Sequence, residues 1–171
     1  MSVSNTLLVH NIGQLVSFAP LVKDKRFVGI TPSDLGVQSN AWLAVRDQKI
    51  ESTGSGEIPA RYQDYDKIDA KGGLVVPGFI DAHSHPIFAG NRAHEFAQKL
   101  AGRTYQEIAA AGGGIQSTVK STRSASHDEL KTLTLARLDT ALRNGVTTIE
   151  AKSGYGLSVR DELRLLEVLN D

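Results

Sequence analysis

Residues 77–92 read PGFIDAHSHPIFAGNR, and the reading of this stretch decides the fold. Phe79 to His83 is a short, mostly apolar run with turn-forming residues on both sides, which predicts a β-strand. In a strand, residues two apart project from the same face, so His83 and His85 can aim two imidazoles at one point. Pro86 has no N–H to donate and ends the ladder. The pair therefore falls at the C-terminal end of its strand, where barrels of βα units build their active sites. Spacing alone leaves two readings open. The histidines are half of a metal site of the nitrogen- and oxygen-ligated kind that suits zinc, iron or manganese, or they are two structural histidines. A stable catalytic site uses three or four protein ligands, and the rest of the sequence offers no evident partner. His10 falls in a β segment, while His94 and His127 fall on or at the start of predicted helices; all three are expected to be solvated or structural.

Upstream, residues 1–75 are rich in short apolar or alternating runs, LLVHN, WLAVRDQKIESTG and KIDAKGGLVV, split by Gly, Ser, Asn and Asp. The polar break Arg46-Asp47-Gln48 predicts a hairpin. Helical periodicity is hard to find there, and the region reads as a small sheet or sandwich. Downstream the pattern changes. Arg92 to Leu100 has helical spacing. Thr104-Tyr105-Gln106-Glu107 fits a capping box, opening a helix of one or two turns that stops at Gly112-Gly113-Gly114. That glycine run lacks the context of a phosphate loop and reads as a mobile connection. Ser126 to Glu129 fits a second box, followed by a long helix with Leu130, Leu133, Ala136, Leu138, Ala141 and Leu142 on one face. Asn144-Gly145 supplies its stop. VTTIEA, residues 146–151, is β-branched and reads as a buried strand. Ser158 and Asp161 open a last helix with Leu163, Leu166, Val168 and Leu169 on one side.

Strands alternating with helices imply parallel βα units, so the expected class is α/β, with a β segment over 1–75 and βα units over 76–171. Two such units cannot close a barrel of eight, and the chain stops at a strong helix, so the sequence reads as part of a longer protein. Composition narrows the function. There are 19 Lys and Arg against 19 Asp and Glu, interspersed, so bulk charge favours neither nucleic acid nor an anionic membrane as partner. With no cysteine, a disulfide framework, a thiolate nucleophile and a cysteine-based zinc site are excluded. The N-terminus lacks the basic and apolar regions of a signal peptide, and no apolar run approaches the roughly 20 residues that span a bilayer. A cytoplasmic location is expected.

VPGFIDAHSH, residues 76–85, resembles the first barrel strand of the metal-dependent amidohydrolase superfamily, whose pattern is PG, two apolar residues, then D-x-H-x-H. Within it, FAGNRAHEF (88–96), TYQEIAAAGGGIQSTV (104–119) and IEAKSGYGL (149–157) are similar to the imidazolonepropionase family. The resemblance implies a (β/α)8 TIM barrel, incomplete in this chain, preceded by a small β-sandwich segment. It implies one zinc or iron ion, with His83 and His85 as its first two ligands and the others beyond Asp171. It implies hydrolysis of 4-imidazolone-5-propanoate to N-formimino-L-glutamate, with Arg92 and Tyr155 binding substrate and Tyr105 a further substrate contact, although the residues alone make Tyr105 a helix-packing side chain. An arginine fork suits the substrate's propanoate. No catalytic acid or base falls within the chain, which alone is expected to be inactive. Lys152 reads as structural or as a support behind the metal ligands, and Asp81 as a strand-end hydrogen-bond partner. A homodimer is expected for the full-length protein. The competing readings are another cyclic amidohydrolase, a nucleobase-type deaminase, or an inactive fragment.

Overall fold

A computed structural model describes residues 5–24 and 29–171, without the side chains of residues 22–24. The chain divides into two compact units, Met1–Pro77 and Gly78–Asp171.

In the first unit, β1 (Thr6–Val16), β2 (Val37–Arg46), β3 (Lys49–Ser55), β4 (Asp66–Asp69) and β5 (Leu74–Val75) form one sheet. Its order is β3-β2-β1-β4, with β5 also paired to β1. The pairs β1–β2 and β2–β3 are antiparallel, whereas β4 and β5 run parallel to β1. The hairpin expected at Arg46–Gln48 is the β2–β3 turn. Asp47 and Gln48 have φ of 50° and 62°, the left-handed pair whose twist matches that of the flanking strands. Leu8, Trp42, Ala44, Tyr62 and Tyr65 make one core cluster, and Ile12, Leu15 and Ala41 another, against which Val9 packs. Strict alternation would send Val9 and Ile12 to opposite faces. The β1–β2 register shifts between them, and such a slip inverts the alternation. Helical turns that periodicity did not suggest interrupt the strands: α1 (Ala19–Asp24) and two 3-10 turns, Pro32–Leu35 and Ala60–Tyr62. The last of these carries the buried Tyr62 into the core.

The second unit runs β6 (Phe79–Ser84), α2 (Ala93–Leu100), α3 (Tyr105–Ala110), α4 (Ile115–Ser124), α5 (His127–Arg143), β7 (Val146–Ala151) and α6 (Val159–Asn170). Strands β6 and β7 are parallel, so the chain is α/β. The Thr104 capping box forms: Thr104 Oγ1 accepts from Glu107 N–H, and Glu107 Oε2 accepts from Thr104 N–H at 2.7 Å. Ser126 accepts from Glu129 N–H and caps α5, and Ser158 accepts from Asp161 N–H and caps α6. Asn144 ends α5, followed by Gly145 at φ 87°.

Three features depart from the sequence reading. Gly112–Gly114 is a packed turn rather than a mobile connection. Gly113 sits against Ile108, Gly114 N–H donates to the buried Glu95 at 2.9 Å, and α4, which was not expected, starts at once. On α6 the buried residues are Leu165 and Val168, while Leu163 and Leu166 stand 54% and 45% exposed. The expected face, with Leu163 and Leu166 beside Val168 and Leu169, is thus corrected: Leu165 takes the core position. Packing against Ile87, Ala89, Ala125 and Leu130 places it there. Finally, β7 is not a buried strand. Thr147, Thr148 and Glu150 are exposed, and α5 leaves an open apolar cleft of about 270 Å³ beside Val146 and Ile149. A two-stranded sheet has too few neighbours to cover both faces.

Candidate active site

Asp81 Oδ1 accepts the His83 N–H at 3.2 Å, the strand-end role expected of it. The last rung between the strands is Lys152 N–H donating to Ser84 O at 2.8 Å. His85 therefore lies just past the strand instead of within it. The two imidazoles still meet, with ring centroids 5.4 Å apart at 65°. Nδ1 of His85 is buried and has no hydrogen-bond partner. Its ring is covered by the loop after β7: a Cβ on Gly154 would lie 2.8 Å from both Nδ1 and Cε1, so only glycine permits this approach.

Tyr155 follows in the same loop. Its ring centroid is 5.9 Å from that of His85 and 5.4 Å from that of Phe88. Phe88 is backed by Arg137, whose guanidinium lies 3.6 Å from the ring centroid and whose Nη1 donates to Pro86 O at 2.9 Å. Such a stacked cation holds a ring in place as well as attracting its face. His83, His85, Tyr155 and Phe88 thus form a continuous row of rings.

The stretch after β6 is tied to α4. Ile87 and Ala89 are buried, Ala89 N–H donates to the buried Thr122 Oγ1 at 3.1 Å, and Gly90, at φ 75°, leaves no room for a Cβ beside Ser121. Arg164 of α6 holds the same C-terminal end of α4, donating to Ala125 O and Thr122 O at 2.9 and 2.8 Å, which satisfies carbonyls a helix end leaves open. These contacts deliver Arg92 to the N-cap of α2, where its carbonyl accepts from Glu95 and Phe96 N–H. Arg92 is exposed and lines a small open cleft with Glu95, Phe96 and Lys99. Tyr105 opens α3 and is 61% exposed. Neither makes a hydrogen bond, ion pair or ring contact with the histidines or Tyr155.

Beside His83, Glu150 of β7 and Lys152 just past its end form an ion pair. The Lys152 hydrogen bond, then its charge, hold the Glu150 carboxyl below its ordinary pKa, with His83 a smaller contributor. Sequence reasoning passed over Phe88 and Glu150 as site neighbours, although IEAKSGYGL carried the Glu150 signal two residues before Lys152. Phe88 had no local signal, because its role comes from Tyr155 and Arg137, distant in the chain.

Two imidazoles at one strand end, one with an unpaired buried nitrogen, have the donor chemistry of a divalent metal with nitrogen and oxygen ligands. Among the described residues no group of three or more His, Asp or Glu is placed to hold a metal, so the pair alone is an incomplete ligand set.

Parallel βα units with a histidine pair where the first strand ends are of the α/β class in which hydrolase sites are built at strand ends. Residues 66–156 match the Amidohydrolase family model, and the chain belongs to that family. It is similar to the N-terminal part of imidazolonepropionases. Identity is 49% over 141 residues to the protein of Brucella anthropi, covering 82% of this chain and 35% of that one. It is 46% over 164 residues to that of Fusobacterium nucleatum, covering 95% and 39%, and 47% over 167 residues to that of Symbiobacterium thermophilum, covering 95% and 38%. The chain thus spans 35–39% of the length of these curated relatives. Among solved structures, a triazine hydrolase from Arthrobacter aurescens superposes with a TM-score of 0.56 at 16% identity, over 98% of this chain and 34% of that one. An atrazine chlorohydrolase from the same species, complexed with zinc and atraton, gives 0.55 at 16%, over 96% and 33%. At that identity the likeness is one of fold.

Proposed function

We propose that the protein hydrolyses 4-imidazolone-5-propanoate to N-formimino-L-glutamate, the third step of histidine degradation. The observation that carries this reading is the meeting of His83, His85 and Tyr155 at the ends of β6 and β7. It occurs in a chain 46–49% identical to imidazolonepropionases. In this reading β6 and β7 are the first strands of a (β/α)8 barrel, over residues 76–171, and residues 1–75 belong to a small β-sandwich. His83 and His85 supply two ligands to one zinc or iron ion. Such a cation, when bound, acts as a Lewis acid and makes water a competent nucleophile near neutral pH.

The chain's own part is positioning. Tyr155 offers a ring face and a hydroxyl to a small planar ring, and Phe88 stops it from swinging away. The Arg92 fork takes the propanoate carboxylate, with Tyr105 a further contact across the substrate. Hydrolysis adds hydroxide to the ring carbonyl carbon, breaks the amide C–N bond and returns a proton to the leaving nitrogen; no residue of this chain is assigned that proton. The partner is a small molecule, in the cytoplasm, and the full-length protein is a homodimer. No helix among the described residues is long and apolar enough to cross a membrane.

The test is turnover by the full-length protein. Loss of imidazolone propanoate with stoichiometric zinc or iron is expected. Arg92→Gln should raise KM by about tenfold or more, the value of a charge-assisted pair, with a smaller change in kcat. Turnover of a cytosine- or guanine-type ring without imidazolone propanoate would replace this reading with that of a deaminase.

A further inference from the structure

The loop 153–157 carries Tyr155 and lays Gly154 on His85, yet little of its own packing explains its shape. Leu157 is 51% exposed and has φ of 51°, a left-handed conformation that costs a non-glycine residue energy and persists only where surroundings impose it. What surrounds it is polar. Glu162 of α6 reaches back, and its Oε1 accepts from Gly156 N–H at 2.8 Å and from Leu157 N–H at 2.7 Å. On the opposite side Arg123 Nε donates to Gly156 O at 2.7 Å and pairs with Asp161 at 3.1 Å. Both polar groups of the Gly156 backbone are thereby taken, one by a carboxylate and one by a guanidinium. Oε2 of Glu162 is buried and makes no hydrogen bond of ordinary geometry. Burial pushes the Glu162 pKa up, but the Ser153 hydroxyl and the N–H groups of Leu157, Gly156 and Gly154 outweigh it, and the net shift is downward. The helix does not need this contact to start, because Ser158 already caps it. The carboxylate serves the loop.

We propose that Glu162, braced by Arg123, is a positioning residue for Tyr155: it holds residues 153–157 in the one shape that sets the tyrosine ring and Gly154 against His85. The geometric part stands by itself, and its catalytic consequence rests on the reading of Tyr155 as a substrate contact. Nothing in the sequence pattern around Glu162 separates it from the other acidic residues at helix starts. Its role is visible only in the loop groups that donate to it.

The experiment compares Glu162→Ala, Glu162→Gln, Tyr155→Leu and the Glu162→Ala/Tyr155→Leu double variant in the full-length protein, by amide hydrogen exchange and steady-state kinetics. Removing the charged acceptor shared by the part-buried Gly156 N–H and the exposed Leu157 N–H should speed exchange at 153–157 by about tenfold, with the amides of α5 unchanged. Glu162→Gln keeps an acceptor oxygen and should restore most of that protection. KM for imidazolone propanoate should rise about tenfold in Glu162→Ala, and the same substitution should add less than about twofold once Tyr155 is gone, as for residues acting through one another. Unchanged exchange at 153–157 in both Glu162 variants overturns the proposal, and so do kinetic effects that multiply in the double variant. Faster local exchange in a protein that never turns over imidazolone propanoate keeps the clamp and removes the functional reading instead. If Glu162→Ala also exposes α5, the Glu162→Gln exchange pattern decides.

Discussion

In the first unit Trp42, Tyr62 and Tyr65 pack on one another, with centroids 5.4 and 5.2 Å apart, and all three are buried. In the second, the apolar residues that open β6, Phe79 and Ile80, are 57% and 71% exposed. The difference follows from strand number. β1 is paired on both sides, so its sheet can close a core, whereas among the described residues β6 and β7 pair only with each other. The second unit takes its stability from a cluster contributed by the segment after β6 and by α4–α6, built on Ile87, Leu130 and Leu165. It then spends polar side chains, Thr122, Arg137, Arg123 and Glu162, on fixing the loops beyond the strands. Aromatic rings that make a core in one unit make a row at a strand end in the other.

The comparison breaks first at its two cores. Trp42→Ala should cost about 3–5 kcal/mol and Leu130→Ala about 2–5 kcal/mol, read from urea midpoints. If either variant unfolds at the midpoint of the unmodified protein, that cluster is not the core of its unit. Next come the histidines. His83→Ala or His85→Ala should weaken zinc binding by at least about tenfold, judging from what even outer-shell substitutions cost, in competition with a chromophoric chelator. Equal affinity in both variants and the unmodified protein would return the pair to structural histidines.

A smaller effect is expected at the cap of α5, where Ser126→Ala should cost about 1 kcal/mol, seen as a lowered urea midpoint. Acid separates the units more finely. In the first, hydrogen bonding from Tyr65, opposed by burial and aided by Arg46, depresses the pKa of Glu51; in the second, Glu162 is depressed by its loop donors against burial. A depressed carboxyl contributes stability above its unfolded value, near 4.5, and loses it as pH falls through the folded value. Glu162→Gln should therefore flatten the acid limb of the second unit's unfolding and leave that of the first unchanged, followed by hydrogen exchange between pH 5 and pH 2 (about the range in which carboxylates titrate). The smallest change belongs to Ile80→Thr in residues 1–171 by themselves, expected within about 0.5 kcal/mol, as for an exposed site. A loss as large as that of Trp42→Ala would mean that this face of β6 is covered after all.

Much of the local architecture was legible. Thr104, Ser126 and Ser158 cap helices because their hydroxyls meet an N–H three residues on, a contact written within one turn. Asp47-Gln48 turns where a polar break separates two apolar runs, and Asp47 tolerates positive φ. What escaped was either locally ambiguous or made at long range. IQSTVKSTRS, residues 115–124, forms α4 despite its β-branched and polar content, because Glu95 receives the Gly114 N–H and Thr122 and Val119 are buried against neighbours. Periodicity put Leu163 and Leu166 on the core face of α6, and packing against the neighbouring helices buried Leu165 instead.

For the site, the sequence by itself determined the reactive groups and their rough address: two histidines where a strand meets a proline, an arginine after a glycine turn, and a tyrosine between glycines. Each depends on chemistry within a few residues, so each is written locally. Only the tertiary structure decided which of them meet. It joined Tyr155 to His85 across the sheet, left Arg92 and Tyr105 without a contact to either, and recruited Phe88, Arg123 and Glu162 to hold the arrangement. Ring contacts and clamps of that kind join residues on separate elements. They are satisfied only when β6, β7, α4 and α6 have packed, and no periodicity in the chain records them.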